Sequence, residues 1–319
     1  MGKVKFMSDI FNTPQQLNLF GETQEQAIKK SLNDKYLISP FSVFDTKQGY
    51  WMNRKKLWLS LGIKSELGRD ANTFSMKNWA DKKGGNKLPA DVSIFDPVLC
   101  ELSYKWFNIP KGEILDPFAG GSVRGIVARL LGYTYLGIDL SEKQIIANKE
   151  NARQVLKDDY DEKLKWVNDD SMNMDLYIKD ESVDMIFSCP PYFDLEVYSD
   201  KPNDLSNMEY DDFKKAYINI IEKACKKLKN DRFAVFVVGD IRDKDGFYRN
   251  FVDLTKYAFN RGGARCWNEI ILLNSLASAP LRAATPFDVS RKLCKVHQNI
   301  LVFYKGNPKH IKDNYPLIY

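Results

Sequence analysis

From about position 93 onward, apolar residues fall into two alternating rhythms. Short unbroken runs at 113–115, 135–138, 165–168, 183–188 and 233–238 read as strands buried on both faces. Between and around them lie longer segments, 95–107, 122–131, 141–156, 210–228 and 247–259, that predict helices. The stretch 210–228 is the clearest, with Phe213, Tyr217, Ile220, Ile221, Ala224 and Leu228 on one stripe. Ser141 with Gln144 three residues on has the spacing of a helix-starting capping box. Two further apolar runs, 268–274 and 299–304, read as a closing antiparallel pair, and 275–290 between them reads as a long loop. Strands alternating with helices predict an α/β fold, a mostly parallel sheet with helices on both faces.

The first 90 residues lack this alternation. Residues 1–35 are polar, with Gln15, Gln16, Gln24 and Gln26, and read as an arm with one helix near 23–33. Residues 36–90 gather Trp51, Trp58 and Trp79 with Tyr50, Arg54, Lys55, Lys56, Lys64 and Arg69. A helix is predicted over 50–61, stopped by Gly62. Aromatic residues interleaved with basic ones can stack bases and hold phosphates, and they can equally form a small core with the cations facing water. The run 81–87, with two glycines, is a flexible connection. The predicted organisation is a polar arm (1–35), a small aromatic and basic N-terminal appendage with possible target recognition (36–90) and a main domain (91–319).

Candidate chemistry sits where two of the strands end. Ile114 and Leu115 lead into Asp116-Pro117-Phe118-Ala119-Gly120-Gly121-Ser122 and then a helix. Strand, glycine turn and helix form a nucleotide-type pocket, because glycine lets a ligand approach bare backbone. The spacing is not Gly-x-Gly-x-x-Gly, since Ser122 stands at the middle position. The next strand ends in Asp139, 19 residues after Gly120, followed by Leu140. A carboxylate there can accept hydrogen bonds from both hydroxyls of a ribose. This pattern by itself leaves NAD and S-adenosylmethionine both open.

The second motif is Ser188-Cys189-Pro190-Pro191-Tyr192 at the end of the run 183–188. A double proline stiffens the chain and removes two N–H donors, and the aromatic residue offers a stacking face. Taken with Asp116-Pro117-Phe118-Ala119-Gly120-Gly121, it resembles the amino-group DNA methyltransferases, which act on cytosine N4 or adenine N6. The resemblance covers roughly 93–305, and Cys189 departs from the Asp, Asn or Ser that the family places there.

The resemblance implies a Rossmann-like methyltransferase fold and S-adenosylmethionine as cofactor. The cofactor would be held by Asp116 through Ser122, by Asp139 and Leu140, and by Asp170 and Ser171 after the strand at 165–168. Phe95 and Ser188 complete that set, with Ser93 and Pro97 mapping loosely beside Phe95. Asp169 is nearly as good a candidate as Asp170 for the adenine amino group. It also implies catalysis at Cys189, Pro190, Pro191 and Tyr192, with Tyr192 stacking on a base swung out of the duplex. No metal is implied, and DNA is the expected partner. A bacterial or viral modifier, with or without a partner restriction enzyme, would fit the same resemblance.

The exocyclic amine of a base is a poor nucleophile, because its lone pair is delocalised into the ring. The site must aim that nitrogen at the sulfonium methyl and accept hydrogen bonds from its N–H groups as charge develops. A thiol is a weak acceptor, so Cys189 leaves open an acceptor or shape role, an inert thiol, or nucleophilic attack on pyrimidine C6 in a C5 methyltransferase. Asp194 and Glu196 read as loop acids or as groups orienting the base. RNA as substrate, and an inactive nucleic-acid-binding protein on the same fold, are the competing readings.

Charge and cysteine content narrow the setting. The net charge is +5, and 281–319 alone carries seven Lys or Arg against two Asp, a basic region suited to phosphate. Five scattered cysteines without Cys-x-x-Cys read as reduced thiols in a cytoplasm, and two histidines are too few for a histidine metal site. No apolar run approaches the ~20 residues of a membrane span, and no secretory leader is read at the N-terminus. Between the two motifs there is no room for a recognition domain. Target reading is therefore expected from 36–90, 198–207 or 275–290.

Overall fold

The computed structural model describes residues 31–64, 95–193, 204–274 and 279–316. The chain divides into two units, Met1–Pro40 with Leu317–Tyr319, and Phe41–Pro316. In the first, α1 (Leu32–Tyr36) starts at Ser31, whose hydroxyl accepts from Asp34 N while Asp34 reaches back to Ser31 N. The predicted helix at 23–33 lies mostly outside the described residues.

The second unit is built on an eight-stranded sheet of order β1-β7-β8-β6-β5-β2-β3-β4. Its strands are β1 (Val43–Asp45), β2 (Glu113–Asp116), β3 (Thr134–Asp139), β4 (Leu164–Asn168), β5 (Val183–Ser188), β6 (Leu228–Val238), β7 (Arg265–Leu273) and β8 (His297–Lys305). Only β8 runs against its neighbours, β6 and β7; every other pairing is parallel. The fold is thus α/β and Rossmann-like, of the methyltransferase type, with the antiparallel closure that the sequence predicts. All six residues of β5 and the last six of β6 are buried, which is why they read as unbroken apolar runs.

Helices follow from the periodic segments: α2 (Gly49–Ser60), α3 (Pro97–Phe107), α4 (Val123–Leu130), α5 (Glu142–Leu156), α6 (Tyr210–Lys227), α7 (Phe251–Arg261), α8 (Ala279–Ser290) and α9 (Ile311–Asn314). The stripe on α6 is buried as predicted, with Phe213, Tyr217 and Phe251 of α7 stacked or tilted at 5.0–5.8 Å. The strand order reverses between β2 and β5. A crevice opens beyond the carboxyl ends of strands at such a switch point, and ligands bind there in open α/β sheets.

Two expectations are corrected. The stretch 275–290 reads as a loop in the sequence, yet Ala279–Ser290 is a helix. Pro280 falls in its first turn, where the missing N–H costs nothing, so a proline there is no breaker. The helix expected at 247–259 begins only at Phe251; residues 241–249 instead form a small hairpin, with an Arg242–Tyr248 bridge and Arg249 N donating to Ile241 O.

For Trp51 and Trp58, open in the sequence to base stacking or to a small core, the structure carries the core. Both are 0% exposed. Trp58 donates to Glu101 at 2.8 Å and Trp51 to Asp96 at 3.1 Å, both on or beside α3, while Arg54 grips Glu101 with two bonds of 2.5 and 2.6 Å. A buried indole needs an acceptor for its N–H, and these two acids supply it. Residues 43–60 are therefore built into the main unit: β1 extends the sheet beside β7 and α2 packs on α3. Trp79 and the 81–87 connection lie outside the described residues. Among the described residues no helix is long and apolar enough to cross a membrane.

Candidate active site

Beyond β2 the chain turns back over the sheet. Ala119 N donates to Ile138 O at 3.0 Å, which lays the turn directly on β3. Only glycine fits beneath it at 137, where a β-carbon would stand 2.7 Å from that of Ala119. Gly120 takes φ +49°, a left-handed conformation that glycine adopts without strain. Asp139 ties the turn down: Oδ2 accepts from Gly120 N and Oδ1 from Ser141 N, both at 2.8 Å. Asn148 of α5 donates to Gly120 O at 2.6 Å and is itself held by Gln144 at 2.9 Å.

Asp116 lies beneath this turn and is fully buried. Its Oδ1 accepts from Ser188 Oγ at 2.5 Å and Phe118 N at 3.2 Å; its Oδ2 accepts from Arg124 Nε at 2.5 Å and Tyr135 OH at 2.7 Å. Arg124 also donates to the carbonyls of Phe118 and Ala119 at 2.5 and 2.7 Å and lies 4.8 Å from the Phe95 ring. Burial opposes its charge, yet Asp116 more than offsets this and drives the guanidinium pKa further up. A buried ion pair of this kind is held by its extra hydrogen bonds as much as by its charges.

The sequence marks neither Arg124 nor Tyr135 as functional. The signal for Arg124 is a charged residue inside the apolar run Val123–Leu130. The Asp116–Ser188 hydrogen bond joins the end of β2 to the end of β5, and so joins the two motifs.

The predicted cofactor residues therefore separate into two groups. Asp116, Pro117, Ala119, Gly121, Ser122, Ser171 and Ser188 are buried and bonded or packed within the protein. Ser122 Oγ donates to Asn151 Oδ1 at 2.9 Å, Asn151 Oδ1 also accepts from Lys64 N at 3.0 Å, and Ser171 donates to Pro117 O. Phe95, Phe118, Gly120, Asp139, Leu140 and Asp170 are half-buried and form the rim. Of these, Phe118 turns one face inward, stacked 6.0 Å from Tyr217, and Phe95 packs on Phe187 at 5.7 Å. Asp170 caps the turn Ser171–Leu176 through Met172 N, while Asp169 accepts from Asn173 and from Tyr177 OH at 2.6 Å. Ser93 lies outside the described residues.

Asp139 has chemistry to spare. A carboxylate has about four lone-pair sites, and the two amides named use one on each oxygen. Burial raises its pKa above the ordinary aspartate value, against the pull of the Ser141 and Gly120 amides.

Across the crevice, Cys189 is half-buried, Pro190 buried, and Pro191 and Tyr192 half-buried. Cys189 Sγ lies 3.9 Å from Tyr192 OH. That hydroxyl accepts from Gln298 Nε2 of β8 at 2.9 Å and reaches Val237 O of β6 at 3.4 Å. The Tyr192 ring meets Phe251 edge-on at 5.8 Å. Its orientation is thus fixed by three elements, one of them 106 residues distant in sequence, a contact no local pattern announces. Asp194 and Glu196 lie outside the described residues. All five cysteines are free, and no group of three or more His, Cys, Asp or Glu suited to a metal occurs among the described residues.

No protein-family model matches this sequence, and no curated protein matches it. Solved structures do. TrmN from Thermus thermophilus is 15% identical, with 68% of this chain and 51% of that one covered, at a TM-score of 0.45. A TehB-like SAM-dependent methyltransferase from Corynebacterium glutamicum is 17% identical, covering 72% and 95%, at 0.40. A protein designated a DNA modification methylase, also from Thermus thermophilus and solved with S-adenosyl-L-methionine, is 16% identical, covering 43% and 51%, at 0.32. The chain spans about half the length of TrmN and of that methylase. At these TM-scores the likenesses bear on neither substrate nor cofactor, which rest on the site itself.

Proposed function

We propose that this protein is an S-adenosylmethionine-dependent methyltransferase acting on the exocyclic amine of adenine or cytosine in DNA. The observation that carries the reading is the pairing of two motifs at one switch point, with Asp116 at the end of β2 bonded to Ser188 at the end of β5. The rim residues fit a nucleoside rather than a dinucleotide. A pyrophosphate binds at a helix N-terminus with open amides, but here Gly121, Ser122, Val123 and Arg124 at the start of α4 are all buried. Ser122 is also spent on Asn151. What keeps unused lone pairs is the carboxylate of half-buried Asp139, suited to ribose hydroxyls, flanked by half-buried Gly120, Leu140 and Asp170.

When bound, S-adenosylmethionine supplies an electrophilic methyl on a positive sulfur. This chain would hold it by Asp139 and the glycine turn, and would present the base at Cys189–Tyr192. The double proline fixes the backbone there, so that the Pro190 carbonyl and the Cys189 side chain can face the N–H groups of the target amine. Tyr192, locked by Gln298 and Phe251, offers a face for stacking. Positioning and pre-set acceptors do the work, because the sulfonium already drives transfer.

The test is incubation with labelled S-adenosylmethionine and single-stranded DNA, duplex DNA or RNA, followed by nucleoside analysis. Label on adenine N6 or cytosine N4 of DNA is the expected result. Label on pyrimidine C5, abolished in Cys189→Ser with cofactor uptake unchanged, would instead make Cys189 a nucleophile. Label in RNA alone would move the substrate, and no transfer to any of the three would sink the proposal.

A further inference from the structure

The hairpin at 241–249 carries a surface that the reaction does not use. Its backbone is closed by Asp243 N donating to Phe247 O at 2.9 Å and by the Asp243 carboxylate, which accepts from Gly246 N and Phe247 N at 2.8 and 2.9 Å. Turned inward on these amides, Asp243 stiffens the tip. Phe247 projects from that tip, 74% exposed. An apolar ring held out on a braced turn, with no core to enter, is arranged to meet something flat.

Cations flank the hairpin, with Asp245 exposed at its tip. Arg242 lies 4.0 Å from the Tyr248 ring centre and Lys295 lies 5.7 Å from it. The Lys292 ammonium rests against Gly246, 2.0 Å from where a β-carbon would stand. Arg249 stacks over Tyr210 at 4.3 Å and Phe193 at 4.9 Å. Among the described residues, no carboxylate lies within ion-pair distance of Arg242, Arg249, Lys292 or Lys295. Asp240, the nearby acid that acts on Lys295, has a carboxylate oxygen bonded to Val252 N. Burial lowers the Lys295 pKa, Asp240 opposes this, and the charge of Arg242 lowers it further. Like charges forced together in this way are relieved by a bound anion.

The location matters most. Phe193 follows Tyr192 directly, Gly239 at the root of the hairpin lies 3.8 Å from the Tyr192 ring by its β-position, and Gln298 of the adjoining strand holds the Tyr192 hydroxyl. An anionic polymer on the hairpin would therefore run up to the base-docking corner.

We infer that the hairpin 241–249 and the approach to β8 at Lys292 and Lys295 seat the sugar–phosphate backbone of a single-stranded segment adjoining the target nucleotide, with Phe247 stacking a neighbouring base. This rests on the function proposed above. Arg242 and Lys295 over the exposed Tyr248 ring, with Lys292 and the exposed Phe247 beside them, match phosphodiester and base together, which an acidic protein would use only in part. An exposed stacking ring favours unpaired bases, because in a duplex those faces are already covered.

The experiment measures binding of a short fluorescent oligonucleotide by anisotropy across salt concentrations, as single-stranded DNA, single-stranded RNA and duplex DNA, with poly-glutamate as competitor. The wild type is expected to bind single strands more tightly than duplex. Phe247→Ala should weaken single-strand binding about tenfold. Lys292→Ala with Lys295→Ala should lower the slope of log affinity against log salt by about 2. Uptake of S-adenosylmethionine, followed by calorimetry, should be unchanged in both, which also verifies folding.

Unaltered affinity and slope in these variants would overturn the inference. So would competition by poly-glutamate equal to that of nucleic acid with no effect of Phe247→Ala, which would mark an acidic protein as the partner. The two proposals fail separately. Normal methyl transfer with wild-type KM by a variant combining Phe247→Ala, Lys292→Ala and Lys295→Ala removes the seat and leaves the reaction. Oligonucleotide binding lost in the variants, with no methyl transfer by the wild type, removes the reaction and leaves the seat.

Discussion

The two walls of the crevice are built on opposite principles. On the β2–β3 side, polar groups close on one another: Asp116 accepts four protein donors, and Gln144, Asn148 and Asn151 on α5 turn buried side chains toward the glycine turn and its neighbours. On the β6–β8 side, four cations lack a carboxylate partner among the described residues, and Phe247 is 74% exposed. A small ligand of constant shape is served by a rigid, satisfied frame, because each bond is made before the ligand arrives. A polymer of variable sequence is served by charge and flat apolar faces, which tolerate any base. The difference between the walls is thus what a constant donor and a variable acceptor would demand.

This contrast can be broken most forcefully at Arg124. Arg124→Met leaves Asp116 charged and buried without its counter-ion and should cost about 3–5 kcal/mol of stability by urea unfolding. The Asp116→Asn, Arg124→Met double variant should cost less than the sum of the two singles, because the stranded charge is gone. A single-variant loss below about 1 kcal/mol would mean that the frame is not held by this pair.

Asp139 tests the half-buried edge of the same wall. Asp139→Asn should lower cofactor affinity by about 1.5–3 kcal/mol, the usual range for a hydrogen bond to a charged group, by calorimetry. Acid should do the same to the wild type. Because burial raises the Asp139 pKa, the carboxylate is protonated at a higher pH than an ordinary aspartate, and affinity falls as pH drops through that raised value. The stability sign is opposite: a raised acid costs the fold when ionised, so its contribution is present below the unfolded pKa and lost as pH rises through the folded one. Asp139→Asn should abolish this dependence of affinity; persistence of it would place the titrating group elsewhere.

The smallest effect belongs to the corner at Cys189–Tyr192. Tyr192→Phe removes a hydroxyl that accepts from Gln298 and should cost about 0.5–1.5 kcal/mol of stability by thermal unfolding. Tyr192→Ala should lower methyl transfer while cofactor uptake persists. Equal loss of both would mean that the two walls are not independent.

Much of this architecture is legible in the sequence. The runs at 183–188 and 233–238 are apolar because parallel central strands are covered on both faces, and the fold buries both. Ser141 does accept from Gln144 N at 3.2 Å. The N-terminal tryptophans are ambiguous for a physical reason: an indole suits a base and a core equally well, and only the acceptors Glu101 and Asp96 decide between them. The helix α8 is hidden because its two prolines, Pro280 in the first turn and Pro286 inside the helix, read as loop residues in one dimension.

The sequence by itself determined seven of the eight strands, missing only β1, and which of them end in the two motifs. That information is local, carried by period and by turn chemistry. Only the tertiary structure decided that Asp116 and Ser188 form a buried joint while Asp139 keeps lone pairs unused. Only it brought Gln298 to Tyr192 and gathered Arg242, Lys292 and Lys295 around one hairpin. Those assignments depend on burial and on partners far apart along the chain, and neither is encoded in any short stretch of it.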